Sequence, residues 1–533
     1  MRLMFVVALT TLVMQGCSGA GGQVDTGAGD VAGDVAGDVP GDVLTDSTVA
    51  DDVDDGAEDD RGTLDVEGDV ADVMDATEVE QDDGPVVPWH EQLVPDGQKI
   101  SELMGVASHM ETSETGDAQT DFEFDQYEAV GGMRARRGFR WSDVEPVEGE
   151  FHWDETNGAV TRAGEHGVKL MPVVYYGNNW AEDETSAYGS LDIRKYANYA
   201  GKMAEQYCGT IKEYELWNEQ NITRFWHIPP DPVKYADMVV LASQAIKAEC
   251  PDAKVMFGGM TSYDDVDMFD TWNYLRRALA ARTDLCDHMD GVALHPYTFL
   301  QYDSPEYDEE DWEYAKRGQT WQTDVARQML RDAGCKEMGI YYTELGWPTY
   351  DLTRDQVARY AARSMLIASR DRITGWYWYT FWDDDPSDAS SIRPHENHFG
   401  LFEWPGADDT NRTPKPAWNA LMAMHDIIGQ SRLAADVSAI MGLPDDVYVL
   451  AFEDVDGQLV LAMWDGRDQP DVKYGVSGEG GADTTFLLDL ELPPDAVSVS
   501  MFDMYGIEVS TAAATATMQV TLTPAVQYLK VDR

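Results

Sequence analysis

Ile211-Lys212-Glu213-Tyr214-Glu215-Leu216-Trp217-Asn218-Glu219 is an apolar run of strand length that ends on a carboxylate. Met338-Gly339-Ile340-Tyr341-Tyr342-Thr343-Glu344, followed by Leu345-Gly346-Trp347, repeats the arrangement further along the chain. β-Branched and aromatic residues in short bounded runs read as buried strands, so Glu219 and Glu344 are expected at strand carboxyl ends. Between them lie two further strand-like runs, Lys254–Phe257 and Gly291–His295, separated by helical stretches of ordinary length.

Working outward, the same alternation gives eight units. The remaining strands are expected near Glu102–Ala107, Arg134–Trp141, Val168–Tyr175 and Thr374–Trp382. Eight strand–helix repeats predict an α/β fold, a closed (β/α)8 TIM barrel over residues 87–430. Functional residues of such barrels come from the carboxyl ends of the strands, so Glu219 on strand four and Glu344 on strand seven are expected over one cleft. Neighbouring buried carboxylates push each other's pKa values apart, so one pair can supply a proton donor and an anion near neutral pH.

These residues resemble the glycoside hydrolases of clan A, families 39 and 5 above all. The resemblance is carried by Trp217-Asn218-Glu219, by Glu344 with Gly346-Trp347, and by His295-Pro296-Tyr297. Arg136-Arg137-Gly138-Phe139-Arg140-Trp141 with Val144-Glu145-Pro146, Gly149, Phe151 and Trp153 adds to it. So do His398-Phe399-Gly400-Leu401-Phe402 and Lys415-Pro416-Ala417-Trp418. It implies a retaining double displacement on a β-linked polysaccharide or oligosaccharide, with Glu219 as acid/base and Glu344 as nucleophile. It further implies that Asn218 bonds the sugar 2-hydroxyl, that Arg136 lies beneath Glu344 and lowers its pKa, and that His295 and Tyr297 orient the carboxylates. Alternation places Arg134, Arg136 and Arg140 on one strand face, and Arg136 is chosen by its spacing to Trp141. The alternatives are an exo-acting, β-xylosidase-like enzyme and a non-catalytic glycan-binding lipoprotein. No metal or organic cofactor is expected.

Sugars stack their C–H faces on aromatic rings, so a saccharide cleft needs aromatics at strand ends and loop tips. Trp180 after strand three and Trp382 at the end of strand eight are the candidates, with Phe225-Trp226-His227 nearby. Trp378 ranks behind Trp382, and Tyr302–Tyr314, with Trp312, is a long acidic loop expected to wall the cleft or lie solvated. Beyond residue 430 the pattern changes to short runs separated by Gly, Pro and Asp. Val447–Phe452, Leu459–Trp464, Thr485–Leu490, Val497–Phe502, Thr517–Leu522 and Val526–Val531 predict a β-sandwich over 431–533, with no catalytic constellation in it.

At the amino end, Met1–Met14 carries Arg2 and a short apolar stretch before Gln15-Gly16-Cys17, which reads as an export signal over residues 1–17. The segment resembles a bacterial lipoprotein signal, although Met14 and Gln15 depart from its usual preferences, and implies lipidation at Cys17. Ser18 after that cysteine implies outer-membrane sorting. Residues 18–86 hold 22 acidic side chains against one basic, Arg61, with Gly-Asp-Val recurring from Gly29 to Val43. Such a segment cannot bury a core and behaves as an extended, self-repelling tether. The net charge of the chain, −60, excludes nucleic acid as a partner and disfavours anionic glycans unless the cleft is locally basic. A carbohydrate substrate, a lipid anchor in the outer membrane and a monomeric state are expected. Cys208, Cys250, Cys286 and Cys335 each fall just before a strand, at the rim away from the cleft. Export makes disulfides Cys208–Cys250 and Cys286–Cys335 the expected pairing, and no close Cys-x-x-Cys spacing favours zinc.

Overall fold

The computed structural model describes residues 87–533 apart from 109–117, 184–189, 227–228, 262–270, 299–303, 307–317, 351, 388–393, 407–408 and 468–484. The expected export signal, Cys17, the tether, His227 and most of the loop 302–314 lie outside the described residues. Residues 84–533 form one unit. Its barrel strands are β1 (Met104–Ala107), β2 (Arg134–Arg140), β3 (Lys169–Tyr175), β4 (Glu213–Asn218), β5 (Lys254–Thr261), β6 (Gly291–His295), β7 (Gly339–Leu345) and β8 (Gly375–Tyr379). Each pairs in parallel with the next, and β8 closes on β1 through Trp376–Met104 to Tyr379–Ala107.

Sequence dictates where the intervening helices start. Asp192 accepts from the backbone of Arg194 and Lys195 to cap Ile193–Tyr207, and Asp231 caps Pro232–Glu249, whose proline needs no donor at that position. Thr353 and Gln356 form a capping box at the start of Arg354–Arg370. The bonded pairs Cys208–Cys250 and Cys286–Cys335, each with Cα atoms 5.3 Å apart, join consecutive units just before strands begin, on the rim opposite Glu219 and Glu344.

The barrel interior holds Ala107, Met171, Met256, Ala293, Tyr341 and Tyr377 in one apolar cluster. Two ion pairs also cross it. Arg134 Nη1 lies 2.7 Å from Glu213 Oε2, and Arg136 Nε lies 2.6 Å from Glu215 Oε2, residues of β2 and β4 in step at a period of two. Such charges can stay buried only because each has its partner.

Among the strand boundaries that differ from expectation, strand five runs on four residues past Phe257 to Thr261. Glu102 is helical, in the turn Ile100–Leu103, because its carboxylate accepts the Lys99 amide as a capping box. Strand eight stops at Tyr379, after which Phe381 and Trp382 turn outward onto Phe122, Phe402 and, for Phe381, Trp418.

The carboxyl-terminal region is an all-β pair of antiparallel sheets. The larger orders its seven strands as Asp96–Lys99, Arg432–Asp436, Val447–Glu453, Leu459–Asp465, Gln527–Asp532, Ser498–Phe502 and Glu508–Ala513. Phe486–Glu491 pairs with Thr517–Leu522 as the smaller sheet. Val447, Val449, Leu461 and Met463 face that smaller sheet, whereas Leu450, Phe452, Ala462 and Trp464 join the core shared with the barrel. Burial on both faces explains why these strands read as continuous apolar runs.

Candidate active site

Trp217 and Glu219 both adopt left-handed backbone conformations, with φ of 72° and 48°. Such torsions cost about 1–3 kcal/mol each for residues with a side chain and persist only when the surroundings fix them. Here the Glu219 amide donates to Gly259 O at 2.8 Å and the Trp217 indole donates to Phe225 O at 2.8 Å. Strain is thus stored at the end of β4, at its carboxylate.

β4, β6 and β7 bring the expected residues together. Carboxylate oxygens of Glu219 and Glu344 and a ring nitrogen of His295 all lie within 4.8 Å of one another. His295 Nδ1 is 2.9 Å from Glu219 Oε1, and its Nε2 is 3.4 Å from Arg136 Nη2. A guanidinium only donates, so Nε2 accepts and the proton on Nδ1 is given to Glu219. The Tyr297 hydroxyl donates to Glu344 Oε1 at 2.9 Å, and Arg136 Nη1 reaches Glu344 Oε2 at 3.2 Å. Arg136 Nη2 also donates to Asn218 Oδ1 at 2.8 Å. Of the three arginines expected on one face of β2, Arg134 pairs lower in the barrel with Glu213, and Arg140 is exposed beside Asp143.

Burial pushes Glu219 up to about 7, against the opposing pull of Arg136 and Arg224. Burial also raises Glu344, with His295, Arg136 and the Tyr297 hydrogen bond pulling back and Glu219 adding to the rise. The expected net lowering by Arg136 is therefore corrected. Its guanidinium is bound most closely to Glu215, and burial outweighs what remains for Glu344. His295 is driven down to about 4, chiefly by burial, and is neutral at neutral pH. Burial thus raises both carboxyls of the pair, Glu219 up to about 7.

Glu219, His295 and Glu344 are also metal-ligand types. The Arg136 guanidinium, fixed against Glu344, already places a cation beside this cluster.

Beside Glu219 opens a cavity of 370 Å³ lined by Tyr176, Asn178, Asn179, Leu191, Trp217, Arg224, Phe225 and Trp226. Tyr176 stacks on Phe225 with ring centroids 5.8 Å apart. Trp180 stands outside this wall. Its indole donates to Glu145 O at 2.9 Å, its ring meets Trp141 edge-on, and Lys195 lies over its face. Glu145 in turn accepts from the Trp141 indole and the Gly149 amide, so the helical turn Trp141–Val144 and the residues up to Gly149 are braced together, with Trp180 bonded to the same Glu145. Trp382 lines a second, smaller cavity, and Trp378 is fully buried. Glu215, fully buried, was missed in the sequence. It accepts from Arg136, the Gly259 amide and Thr343 Oγ1, and period-two spacing from Glu213 was its only signal.

No family model matches the sequence, and neither does any curated protein. Solved structures do resemble the fold. A family 39 glycoside hydrolase from Bacteroides cellulosilyticus WH2 aligns at a TM-score of 0.61 and 22% identity, covering 82% of this chain and 83% of that one. A monomeric β-xylosidase from Caulobacter crescentus CB15 aligns at 0.57 and 15% identity, covering 83% and 98%. The catalytic domain of the family 30 xylanase C from Talaromyces cellulolyticus aligns at 0.54 and 12%, covering 83% and 99%. These likenesses extend over most of the chain and are likenesses of fold.

Proposed function

We propose that the protein is a retaining β-glycosidase acting on a polysaccharide or oligosaccharide. The observation that carries this reading is the pair Glu219 and Glu344, with oxygens within 4.8 Å of one another and Glu219 pushed up to about 7 by burial. Retaining enzymes separate their carboxyl groups by about 5–5.5 Å, whereas inverting ones need roughly 6.5–9.5 Å to seat a water. In the first step Glu344 attacks the anomeric carbon while Glu219 gives its proton to the departing glycosidic oxygen, leaving a covalent glycosyl–Glu344 ester. In the second, Glu219 as carboxylate takes a proton from water, whose oxygen attacks the same carbon and frees Glu344. Asn218, oriented by Arg136, is assigned to the sugar 2-hydroxyl, and Tyr297 fixes the attacking carboxylate. Aromatic residues beside Glu219 suit the apolar faces of the leaving sugar.

Incubation with a panel of aryl β-glycosides and β-glycans, with anomeric products followed by NMR, tests this. β-Anomers appearing first, and at least a thousandfold loss in Glu344→Ala, are expected; α-anomers first, or activity persisting in that variant, overturn it. An exo-acting xylosidase is the second reading, favoured by the β-xylosidase among the similar folds, and sizing of early products decides between the two. Export as a monomeric outer-membrane lipoprotein belongs to the same proposal. It is supported by the apolar stretch before Cys17 and by two disulfides, bonds that persist in oxidising compartments. Intact mass of membrane-extracted protein would show the lipid on Cys17, and an unprocessed soluble chain would refute it.

A further inference from the structure

The segment that follows Glu219, as far as Trp226, carries one cation, Arg224. Tight turns fix its backbone. The Ile222 amide donates to Glu219 O at 3.1 Å, the Phe225 and Trp226 amides donate to Ile222 O at 3.2 and 3.1 Å, and Phe225 O accepts the Trp217 indole. The Arg224 guanidinium lies over the Phe225 ring, 5.1 Å from its centroid, on the wall of the 370 Å³ cavity. Its charge reaches the Glu219 carboxyl, on which it pulls alongside Arg136. A proton donor must stand beside the departing oxygen, so the sugar that leaves with that oxygen lies on the Glu219 side, against this cavity.

Arg224 is exposed, and among the described residues it has no ion pair. Other cations past the strand ends differ. Arg140, Lys195, Arg354 and Arg412 have carboxylate oxygens within 3.9 Å, and Arg136 and Lys415 are buried against theirs. In a chain with 98 acidic and 38 basic side chains, a guanidinium left without a carboxylate is an exception to the surrounding field. Among the described residues that line the cavity it is the only charged one, and the exposed Asn179 adds an amide donor. A smaller cavity by the end of β8 carries Asp383, Asp384 and Asp385 instead, so the positive character belongs to the Glu219 side.

We propose that Arg224 selects an anionic group, a carboxylate or a sulfate, on the sugar that departs. A planar guanidinium can give such an oxyanion two parallel hydrogen bonds, and its seat on Phe225 holds it ready to do so. The substrate class is then a β-glycan with acidic units, which the charge of the whole chain repels and this one cavity admits. The inference rests on the glycosidase reading for the side of the bond that Arg224 serves.

Matched β-1,4 disaccharides test it, with glucosyl, xylosyl and galactosyl units each linked to glucose, to glucuronic acid or to glucose 6-sulfate. They are titrated calorimetrically into Glu344→Gln at about 20 mM and about 500 mM NaCl. In at least one set an acidic member should bind about two- to fivefold more tightly than its glucose counterpart at low salt, and the gap should close at high salt. Adding Arg224→Gln should remove the gap. Arg224→Lys should keep part of it and guards against a folding defect. The acid that gains identifies the group, a uronate or a sulfated sugar. Because each gap is read within one protein, a general effect of Arg224 on Glu219 cancels. No binding in any set, equal or tighter binding of every glucose counterpart, or a gap that survives in Arg224→Gln overturns the proposal. Hydrolysis of the same sets by wild type separates the two readings. Turnover without an Arg224-dependent gap defeats the selection alone, while an Arg224-dependent gap without turnover supports the selection and defeats the glycosidase.

Discussion

At the scale of single residues, the site works by making one carboxylate unwilling to ionise. Glu219 sits at about 7 because burial penalises its anion more than Arg136 and Arg224 stabilise it. A donor with that value loses its proton as pH rises, so kcat/KM is expected to fall about tenfold per pH unit above about 7, read from a pH–rate profile. The same shift is a statement about stability. Its folded value lies above its unfolded one, so the associated stability is fully present below about 4.5 and is lost as pH rises through about 7. Each pH unit between the two values is worth ~1.4 kcal/mol, an upper bound on the order of 3 kcal/mol at pH 8. Glu219→Gln keeps the shape without the charge and should gain about 1–3 kcal/mol over wild type at pH 8 but almost nothing at pH 4. Denaturant unfolding at the two pH values checks this, and an equal gain at both would contradict the assignment.

Elements matter because β5 leaves room for the imidazole that orients the acid. A Cβ on Gly259 would stand 2.1 Å from His295 Nε2 and 2.8 Å from Glu215 Oε1, both fully buried with no space to retreat. Gly259→Ala should therefore displace His295, lowering kcat/KM at least a hundredfold and stability by about 1–3 kcal/mol. Activity assays on protein shown by circular dichroism to be folded would check both effects. The barrel strands themselves were legible because they are buried on both faces and read as apolar runs. Asp96–Lys99 was not, since Asp-Gly-Gln-Lys has no apolar face and is held by backbone pairing with Arg432–Asp436 and by polar contacts such as Gln98 Nε2 to Thr374 O at 2.9 Å. Glu508–Ala513, exposed throughout, carries no alternation for the same reason. In the site, Glu219, Glu344, His295 and Tyr297 stood out because each lies at or just past the carboxyl end of a strand, where chemistry gathers. Glu215 did not, because it is defined by partners on other strands.

Across the whole molecule, the β-region and the barrel meet around one buried cation. Arg363 is completely buried on a barrel helix and binds both Glu306 oxygens, at 2.7 and 2.6 Å. It also donates to Pro524 O and Gly466 O of the β-region, while Trp464 Nε1 donates to Glu306 Oε1 at 2.8 Å. Glu306 follows β6 in the chain, nine residues after Tyr297, so this clamp also anchors the segment that leaves the active site. Removing one member strands the other's charge. Arg363→Met should cost about 3–5 kcal/mol, because Glu306 stays buried without its cation, and should separate unfolding of the two regions into distinct calorimetric transitions. Pairing it with Glu306→Gln removes the stranded charge, so the double variant should be more stable than Arg363→Met alone. The decisive quantity is that ordering. If the double variant is the less stable of the two, the contact is held by packing around Trp464 and Phe452 rather than by charge compensation, and the regions would unfold together with the ion pair absent.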